Sequence, residues 1–436
     1  MTTPRTLLAE AVPASQVELR QRANAPAFLR LYLCFAAAYL LSYVYRNVNA
    51  VISPDLAAML GMSASSLGFL TSAYFVAFAA MQIPAGMLLD RYGPRRVEPV
   101  LLVVAGCGAL AFAASDTVSG LTFARALIGA GVAVCLMAPL KAIAAWYPAE
   151  RHASLSGWMM VAGGAGALLS TAPVAAALPF ISWRGIFVVL AAATFAAAVA
   201  IFLRVPDTPH SPDAPGWNAQ WRGVRSVLGS RRLWWMAPLG SSTIGSFMAI
   251  QGLWSVPWLM EVNGYSRDLA AAHLLVMGLA VVGGYLGIGM FATRLARRGI
   301  ATRHLYAAGF GLNIVALALI TLRVPWTYVL WAVYGLGAAV NVLGFTLLGQ
   351  GFPRALAARA NTAFNLLMFS GSFAMQWGIG LVVDAARSRF EIDRGAAIQI
   401  AFMLVLVVNV LAYAWFVFGW RRQSVGTVSL AGETGA

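Results

Sequence analysis

The chain has 436 residues and a net charge of +15 at pH 7; 60% of its residues are hydrophobic and 10% are charged. A soluble domain carries about 25% charged residues, because polar groups must cover its surface. This composition excludes a soluble globule and favours a protein embedded in a bilayer. Stretches of alternating hydrophobicity, typical of membrane β-barrels, are absent, so we predict an all-α membrane protein.

Apolar stretches recur along the chain, and each is close to the roughly 20 residues that a spanning helix needs. We predict about twelve spans, near residues 29–53, 67–89, 97–114, 119–143, 155–179, 184–203, 233–256, 270–292, 303–322, 326–349, 360–383 and 396–419. Most lysine and arginine residues fall on one side of this arrangement. By the positive-inside rule that side is the cytoplasm, which places the tails 1–28 and 421–436 there. Topology therefore accounts for the basic charge without a nucleic-acid partner.

Span one contains a cation. Tyr39, Tyr43 and Arg46 are spaced i, i+4, i+7 and share one helix face, with Asn47 next to them. An arginine in hydrocarbon costs at least about 2.5 kcal/mol, so it needs a partner or a cavity. A guanidinium binds carboxylates and phosphates through paired hydrogen bonds. We predict that these four residues bind substrate; the alternative is that Arg46 bonds to nearby backbone carbonyls.

The loop after span two carries a motif, which reads Gly86-Met-Leu-Leu-Asp90-Arg91-Tyr-Gly93-Pro-Arg95-Arg96. It resembles the G-x-x-x-D-R-x-G-x-R-R loop of the major facilitator superfamily, which also lies between spans two and three. The resemblance implies two six-helix repeats around a solute site near the midplane, and transport by alternating access. It also implies that this loop braces the two halves and releases them during the cycle. A basic turn that only sets topology is the alternative.

Two further stretches resemble the same family. Span four contains Arg125 followed by Gly129 and Gly131, similar to the family's R-x-x-x-G-x-G stretch. We predict that Arg125 faces a cavity or a partner and contributes to substrate binding; the alternative is an arginine that reaches the membrane surface. The segment around Arg46 resembles span one of the family's organic-anion and organophosphate branches, which place an arginine in a similar context.

Spans one, four, seven and ten usually line the cavity in this family. The resemblance therefore predicts substrate contacts from Gln251, Trp254 and Asn341. Each of these residues has an alternative role in a helix–helix hydrogen bond.

A proline-rich segment divides the chain, and we predict that 204–232 is a cytoplasmic linker between halves 29–203 and 233–420. The halves repeat each other at a nearly constant offset. The matched pairs include Pro54 and Pro257, Gly86 and Gly289, Arg91 and Arg294, and Arg95 and Arg298. The second copy of the loop motif has Thr293 in place of Asp90, so we predict that it braces more weakly. Ala249 matches Arg46, which indicates that the repeat itself does not require that charge.

No aspartate or glutamate lies well inside a predicted span; Asp55, Asp90, Glu98 and Asp384 are all at span ends. His273, near the outer end of span eight, is therefore the best candidate for a proton-coupling group. A hydrogen-bonded interfacial histidine is the alternative. Met277 shares a face with His273, so a copper(I) site is a lower-ranked alternative. Three cysteines without paired spacing predict no disulfide, and we expect no cofactor and no resident metal.

These observations predict a monomeric secondary transporter in a bacterial inner membrane, with both termini in the cytoplasm. The predicted solute is a small organic anion, taken up together with an ion, for which a proton is the candidate. Efflux of hydrophobic compounds is the main alternative, followed by copper import through His273 and Met277. A membrane sensor or scaffold would carry a soluble signalling domain. An enzyme would group its polar residues, whereas the four histidines here are scattered.

Overall fold

The computed structural model describes residues 25–147, 149–207 and 217–432, and every regular element in these ranges is helical. The predicted all-α class is confirmed. Most of the predicted tail 1–28, the proline-dense part of the linker and the last four residues lie outside the described ranges.

Eight helices precede the linker. They are α1 (Ala25–Asn47), α2 (Asn49–Leu60), α3 (Ala64–Tyr92), α4 (Pro94–Ala114), α5 (Val118–Gly131), α6 (Met137–Trp146), α7 (Ala149–Leu169) and α8 (Ala172–Arg204). Several begin at side-chain caps: Ser63 accepts a hydrogen bond from the Ser66 amide, and Thr117 accepts one from Gly120. Helix α8 is interrupted at Ser182, where φ is +51°, at the boundary predicted between spans five and six.

The linker contains a helix, α9 (Trp217–Leu228), which follows the proline-dense segment. The second half follows as α10 (Arg231–Ala249), a π-helical stretch over 250–262, α11 (Arg267–Arg297), α12 (Thr302–Thr321), α13 (Thr327–Ala338), α14 (Asn341–Gly349), α15 (Arg354–Phe390) and α16 (Arg394–Gly432). Helix α16 continues past the predicted end of span twelve at 419.

Eight described helices are long and apolar enough to cross a membrane. The predicted spans one, four, seven and ten each contain an interruption, although the two segments of span ten together, Thr327–Gly349, are among these eight. The interruption lies at Val48, at residues 132–136, at the π-helical stretch 250–262, and at residues 339–340, respectively. With the two segments of each span joined, and α8 divided at Ser182, the helices correspond to the twelve predicted spans.

The two halves pack along several helix pairs, of which α3 with α15 is the most extensive; α11 packs on α7 and α8, and α2 packs on the π-helical stretch. Small residues allow the closest approach. A methyl group at Gly68 of α3 would lie 2.7 Å from the Gln376 carbonyl of α15.

The helices alternate in direction, so the bundle has two ends. We call the end that holds Arg204, Ser230 and the α3–α4 turn the linker face, and the end that holds Asp55, Ala64 and Asp384 the opposite face. At the linker face, Gly93 has φ +76° and reverses the chain between α3 and α4. This positive φ gives a physical reason for glycine at that position of the loop motif.

Candidate functional site

A cavity of about 810 Å³ lies between the two halves. Its wall comes from α1, α3, the interrupted part of span four, α6, α7, α10, α11, α14 and α15. The lining includes Ser154 and Trp158 near the start of α7, and Gly289 and Met290 near the end of α11. These residues lie toward the linker face, so the cavity extends toward that end of the bundle.

The opposite face is closed by contacts between the halves. Arg267 donates two hydrogen bonds to Asp55, at 2.9 and 2.8 Å. The Asp384 carboxylate accepts from the backbone amides of Ala64 and Ser65 at the start of α3, at 3.0 and 2.8 Å. The structure is therefore open toward the linker face and closed at the other.

Arg46 lies in the cavity wall, where only 7% of its surface is exposed. Its guanidinium carbon is 4.5 Å from the ring centre of Tyr43, 5.4 Å from that of Phe78 and 5.3 Å from that of Phe369. Phe369 belongs to the second half, so the cation lies between rings from both halves. None of the described ion pairs includes Arg46. A buried cation held by aromatic faces retains its capacity to bind an anion.

The phenols predicted beside Arg46 also line the cavity. Tyr39 and Tyr43 pack edge to face with ring centres 5.1 Å apart, and the Tyr39 hydroxyl donates to the Tyr43 hydroxyl at 3.4 Å. Asn47 lies behind this wall, since its amide donates to the Tyr43 carbonyl at 3.1 Å and it is not among the lining residues. Its position at the last residue of α1 suits it to support the bend at Val48.

Arg125 is fully buried and lies outside the cavity lining. Its Nη1 donates to the Tyr45 carbonyl at 2.8 Å, and its guanidinium lies 5.2 Å from the Tyr74 ring centre. A bond from a guanidinium to a backbone carbonyl is the alternative role that we considered for Arg46; here Arg125 makes such a bond. In α1, the carbonyl of Tyr45 belongs to the last turn, where helical carbonyls lack intrahelical partners.

In the second half, Asn341 lines the cavity, whereas Gln251 and Trp254 are not part of its lining. Trp254 is fully buried, and its indole donates to the Gln376 carbonyl at 3.0 Å, which joins the π-helical stretch to α15 within the second half.

Three lining residues with an amide or a phenol were missing from the predicted site. Asn365 of α15 donates to Gln82 of α3 at 3.1 Å in the cavity wall, and Tyr285 of α11 interacts with Asn341 and with Arg46. Their signal in the sequence was an amide or phenol within an apolar span. Such residues more often bridge two helices, so polarity alone did not separate them from packing residues.

The predicted brace residues lie at the linker face. Asp90 forms an ion pair with Lys141 of α6 at 2.7 Å. Arg95 and Arg96 approach Asp207 at 3.1 and 3.8 Å. These ion pairs stay within the first half and the start of the linker.

The remaining residues of the motif and of its second copy are also at the linker face. Arg91 lies over the Tyr92 ring at 5.3 Å, and Arg294 lies over the Phe291 ring at 5.8 Å. A methyl group added at Gly86 would meet nothing within 4 Å. Arg298 is exposed.

His273 is buried in the contact between α11 and α13, away from the cavity lining. Its Nδ1 lies 2.7 Å from the Leu269 carbonyl, its Nε2 lies 2.9 Å from the Thr327 hydroxyl, and its ring stacks on Tyr328. Since a carbonyl only accepts, Nδ1 donates and Nε2 accepts from Thr327, which satisfies a neutral ring.

Met277 packs against Gly335 in the same contact. No group of three or more His, Cys, Asp or Glu side chains suited to a metal occurs in the described ranges.

The architecture and the central cavity agree with comparisons to known proteins. The family model of the Major Facilitator Superfamily matches residues 33–376. The chain belongs to the major facilitator superfamily. Family membership confirms the resemblance found in the loop motif, and members of this family are transporters.

Relatives within the superfamily include the hexuronate transporter of Escherichia coli K12, which is 30% identical over 272 residues. That match covers 56% of this chain and 62% of the transporter, so less than two thirds of the relative's length is matched. The galacturonate transporter of Dickeya chrysanthemi is 27% identical over 267 residues, covering 57% of this chain and 76% of that protein.

A solved superfamily structure has the same fold. A bacterial homologue of the human lysosomal transporter Spinster, in an inward-facing and occupied conformation, matches with a TM-score of 0.72 at 16% identity. The match covers 91% of this chain and 97% of that one.

Proposed function

We propose that this superfamily member is a secondary transporter that carries a small organic anion across a bacterial inner membrane by alternating access. The observation that carries the proposal is Arg46, a nearly buried guanidinium in the cavity wall with no ion pair to a described carboxylate. Burial of a cation at this position costs free energy, and an anion that occupies the cavity during the transport cycle would offset this cost. The related hexuronate and galacturonate transporters are named for sugar acids, which carry one carboxylate and several hydroxyls.

The cavity offers matching groups for such a solute. Tyr39, Tyr43 and Asn341 supply hydroxyl and amide groups to the cavity wall, and the hydrogen-bonded pair Gln82 and Asn365 supplies further amide groups. A guanidinium takes the carboxylate with two parallel hydrogen bonds, and the amides and phenols suit sugar hydroxyls. The proposed binding residues are therefore Arg46, Tyr39, Tyr43 and Asn341, supported by Asn47. Arg125, Gln251 and Trp254 lie outside the lining and act through helix packing.

The linker face is proposed to face the cytoplasm, because most basic residues lie at that end. In that orientation both termini are cytoplasmic and the present conformation faces inward. In this conformation Asp90 of the loop after α3 forms an ion pair with Lys141 of its own half. In the outward-facing conformation the same residues would contact the second half, near Arg294 and Arg298.

Replacement of Arg46 tests this proposal. Purified protein in liposomes should exchange labelled galacturonate for unlabelled galacturonate, and should not exchange neutral galactose. Arg46→Gln should reduce exchange at least about 100-fold, because it removes a charged, buried partner of the carboxylate. Arg46→Lys should retain part of the activity, since a point charge remains without the paired geometry.

Arg184→Gln is the matched control, because Arg184 pairs with Asp116 at the bundle end, away from the cavity lining. It should leave exchange within about two-fold of the parent, as expected for a half-exposed ion pair. If Arg46→Gln folds normally by thermal unfolding and its exchange is unchanged, the proposal that Arg46 binds an organic anion is wrong.

Efflux of hydrophobic compounds is the second candidate, favoured by the aromatic and methionine part of the same cavity wall. This part includes Phe78, Trp158, Met160, Met248 and Phe369. A drug-susceptibility panel in a strain that overproduces the protein distinguishes the two. The organic-anion proposal expects no change in susceptibility, whereas resistance to apolar cations would support efflux.

A further inference from the structure

Glu98 is a fully buried acid outside the proposed anion site. It lies in the second turn of α4, which packs against α5, α6 and α8, and none of its surface is exposed. Neither carboxyl oxygen makes a well-formed hydrogen bond to any described residue. Its position near the start of the helix agrees with the predicted span end. Nothing in the sequence indicated that neighbouring helices cover the carboxyl completely.

The charged and titratable groups around Glu98 supply no ion pair. The Cys135 thiol faces it from the interrupted part of span four, and Cys34 faces it from α1. Arg204 at the end of α8 interacts with Cys34.

The other cations on the helices packed against α4 have partners elsewhere. Arg125 of α5 donates to the Tyr45 carbonyl, Lys141 of α6 pairs with Asp90, and Arg184 of α8 pairs with Asp116. On α4 itself, Arg95 and Arg96 approach Asp207. An ionised carboxylate without a cation costs several kcal/mol in a dry interior, so the arrangement suits the neutral acid.

The segment that faces Glu98 also forms part of the cavity wall. Residues 132–136 are not α-helical, and Val132, Ala133 and Leu136 line the cavity while Cys135 faces Glu98. One short segment therefore contacts the buried acid on one side and the solute space on the other. Its turn includes hydrogen bonds of the i to i−3 type, from the Ala133 amide to the Ala130 carbonyl and from the Cys135 amide to the Val132 carbonyl, so it can rearrange without breaking a continuous α-helix. A shift of this segment would admit water to Glu98 and change the cavity wall at the same time.

We propose that Glu98 is the proton-binding group that couples proton movement to transport, a role that rests on the transport function proposed above. In the inward-facing conformation the carboxyl is neutral; when the segment 132–136 moves, water reaches it and it exchanges its proton. Only an O–H bond forms and breaks, and the proton passes between water and one carboxyl oxygen. This assigns coupling to Glu98 rather than to His273, whose two ring nitrogens already have partners.

The test uses Glu98→Gln, whose amide resembles the neutral acid but carries no exchangeable acid proton. In liposomes, accumulation of galacturonate driven by a pH gradient should fall to background, as should the proton flux that accompanies uptake. Exchange of labelled for unlabelled galacturonate requires no net proton movement, so it should stay within about three-fold of the parent protein. Glu261→Gln is the control, because Glu261 pairs with Arg394 at the opposite face; it should retain both activities.

Two outcomes would overturn the proposal. Gradient-driven accumulation and proton flux in Glu98→Gln equal to the parent would show that coupling lies elsewhere. If Glu98→Gln loses both exchange and gradient-driven accumulation while its thermal stability stays normal, Glu98 has a packing role.

An infrared measurement tests the protonation of Glu98 without any solute. Infrared spectra at pH 7 should contain a carboxylic-acid C=O band that is missing in Glu98→Gln and retained in Glu261→Gln. If the parent protein exchanges no organic anion, the function proposed above fails, and the band still decides whether Glu98 is protonated. Absence of the band from the parent spectrum would overturn the assignment of Glu98.

Discussion

At the residue scale, two arginines that look alike in the sequence occupy different environments. Arg46 contacts three aromatic rings at the cavity wall, whereas Arg125 is sealed behind that wall and bonds to a backbone carbonyl. A guanidinium at the cavity can exchange one anion for another. The Arg125 guanidinium instead bonds to the last turn of α1. Its removal should therefore lower the stability of the fold more than the affinity for the solute.

Arg125→Gln tests this difference. We expect it to destabilise the protein by about 1.5–3 kcal/mol, the usual range for a lost hydrogen bond to a charged group. Thermal unfolding in detergent should show a lowered midpoint, while the galacturonate affinity of the folded fraction stays unchanged. Arg46→Gln should show the reverse, with lost affinity and a midpoint near that of the parent. A weaker affinity at a normal midpoint in Arg125→Gln would place Arg125 in the substrate site after all.

At the element scale, the spans that the family resemblance places around the cavity are also the interrupted ones. The backbone at 132–136 and at 339–340 forms turns, and most of the stretch 250–262 is π-helical. Non-helical backbone in a membrane protein is tolerated where protein or a cavity surrounds it. The uninterrupted helices α3, α4 and α12 pack around these spans.

Close packing of α5 on α3 holds the first half together, and Gly129 is its tightest point. A methyl group there would overlap the Tyr74 carbonyl, which belongs to the backbone and cannot rotate away. We expect Gly129→Ala to lower stability by about 1–3 kcal/mol through overpacking. The midpoint of thermal unfolding in detergent measures this loss of stability.

Gly287→Ala in α11 is the matched control, because a methyl group there would meet nothing within 4 Å. It should leave the midpoint unchanged or raise it, since alanine has the higher helix propensity. Equal midpoints for the two variants would show that α5 and α3 can separate without cost.

At the scale of the whole molecule, the contacts between halves at the opposite face hold the present conformation. The paired hydrogen bonds between Arg267 and Asp55 join α11 to α2, and the Asp384 carboxylate joins α15 to the start of α3. Alternating access requires that these contacts break when the linker face closes. Weakening one of them should therefore shift the equilibrium toward a conformation that is open at the opposite face.

Asp55→Asn tests this shift. In a variant without native cysteines, Gln376→Cys places a thiol where the side chain is fully buried in the closed face. Asp55→Asn should raise its labelling by an impermeant maleimide about 1.4- to 5-fold, which corresponds to the roughly 0.2–1 kcal/mol of a partly exposed ion pair. Asp116→Asn breaks an ion pair within one half and should leave labelling unchanged. Equal labelling in the two variants would show that the Asp55 pair does not hold the halves together.

The sequence by itself determined that the protein lies in a lipid bilayer, that its fold is all-helical, and which family it belongs to. Hydropathy is a property of composition, so twelve apolar stretches and a duplicated pattern of glycine, proline and arginine were sufficient for an all-α, two-half architecture. The loop from Gly86 to Arg96 was sufficient for the superfamily. The substrate-binding role of Arg46 and Tyr43 was predicted from helical spacing alone and stays a proposal.

Only the tertiary structure decided which polar groups share a space. Arg46 and Arg125 have the same chemistry, and their partners come from positions up to hundreds of residues away, such as Phe369 for Arg46. Glu98 was predicted at a span end, yet three packed helices bury it beside Cys135. Burial and pairing depend on contacts between helices, and helical periodicity reports only the face of each helix separately.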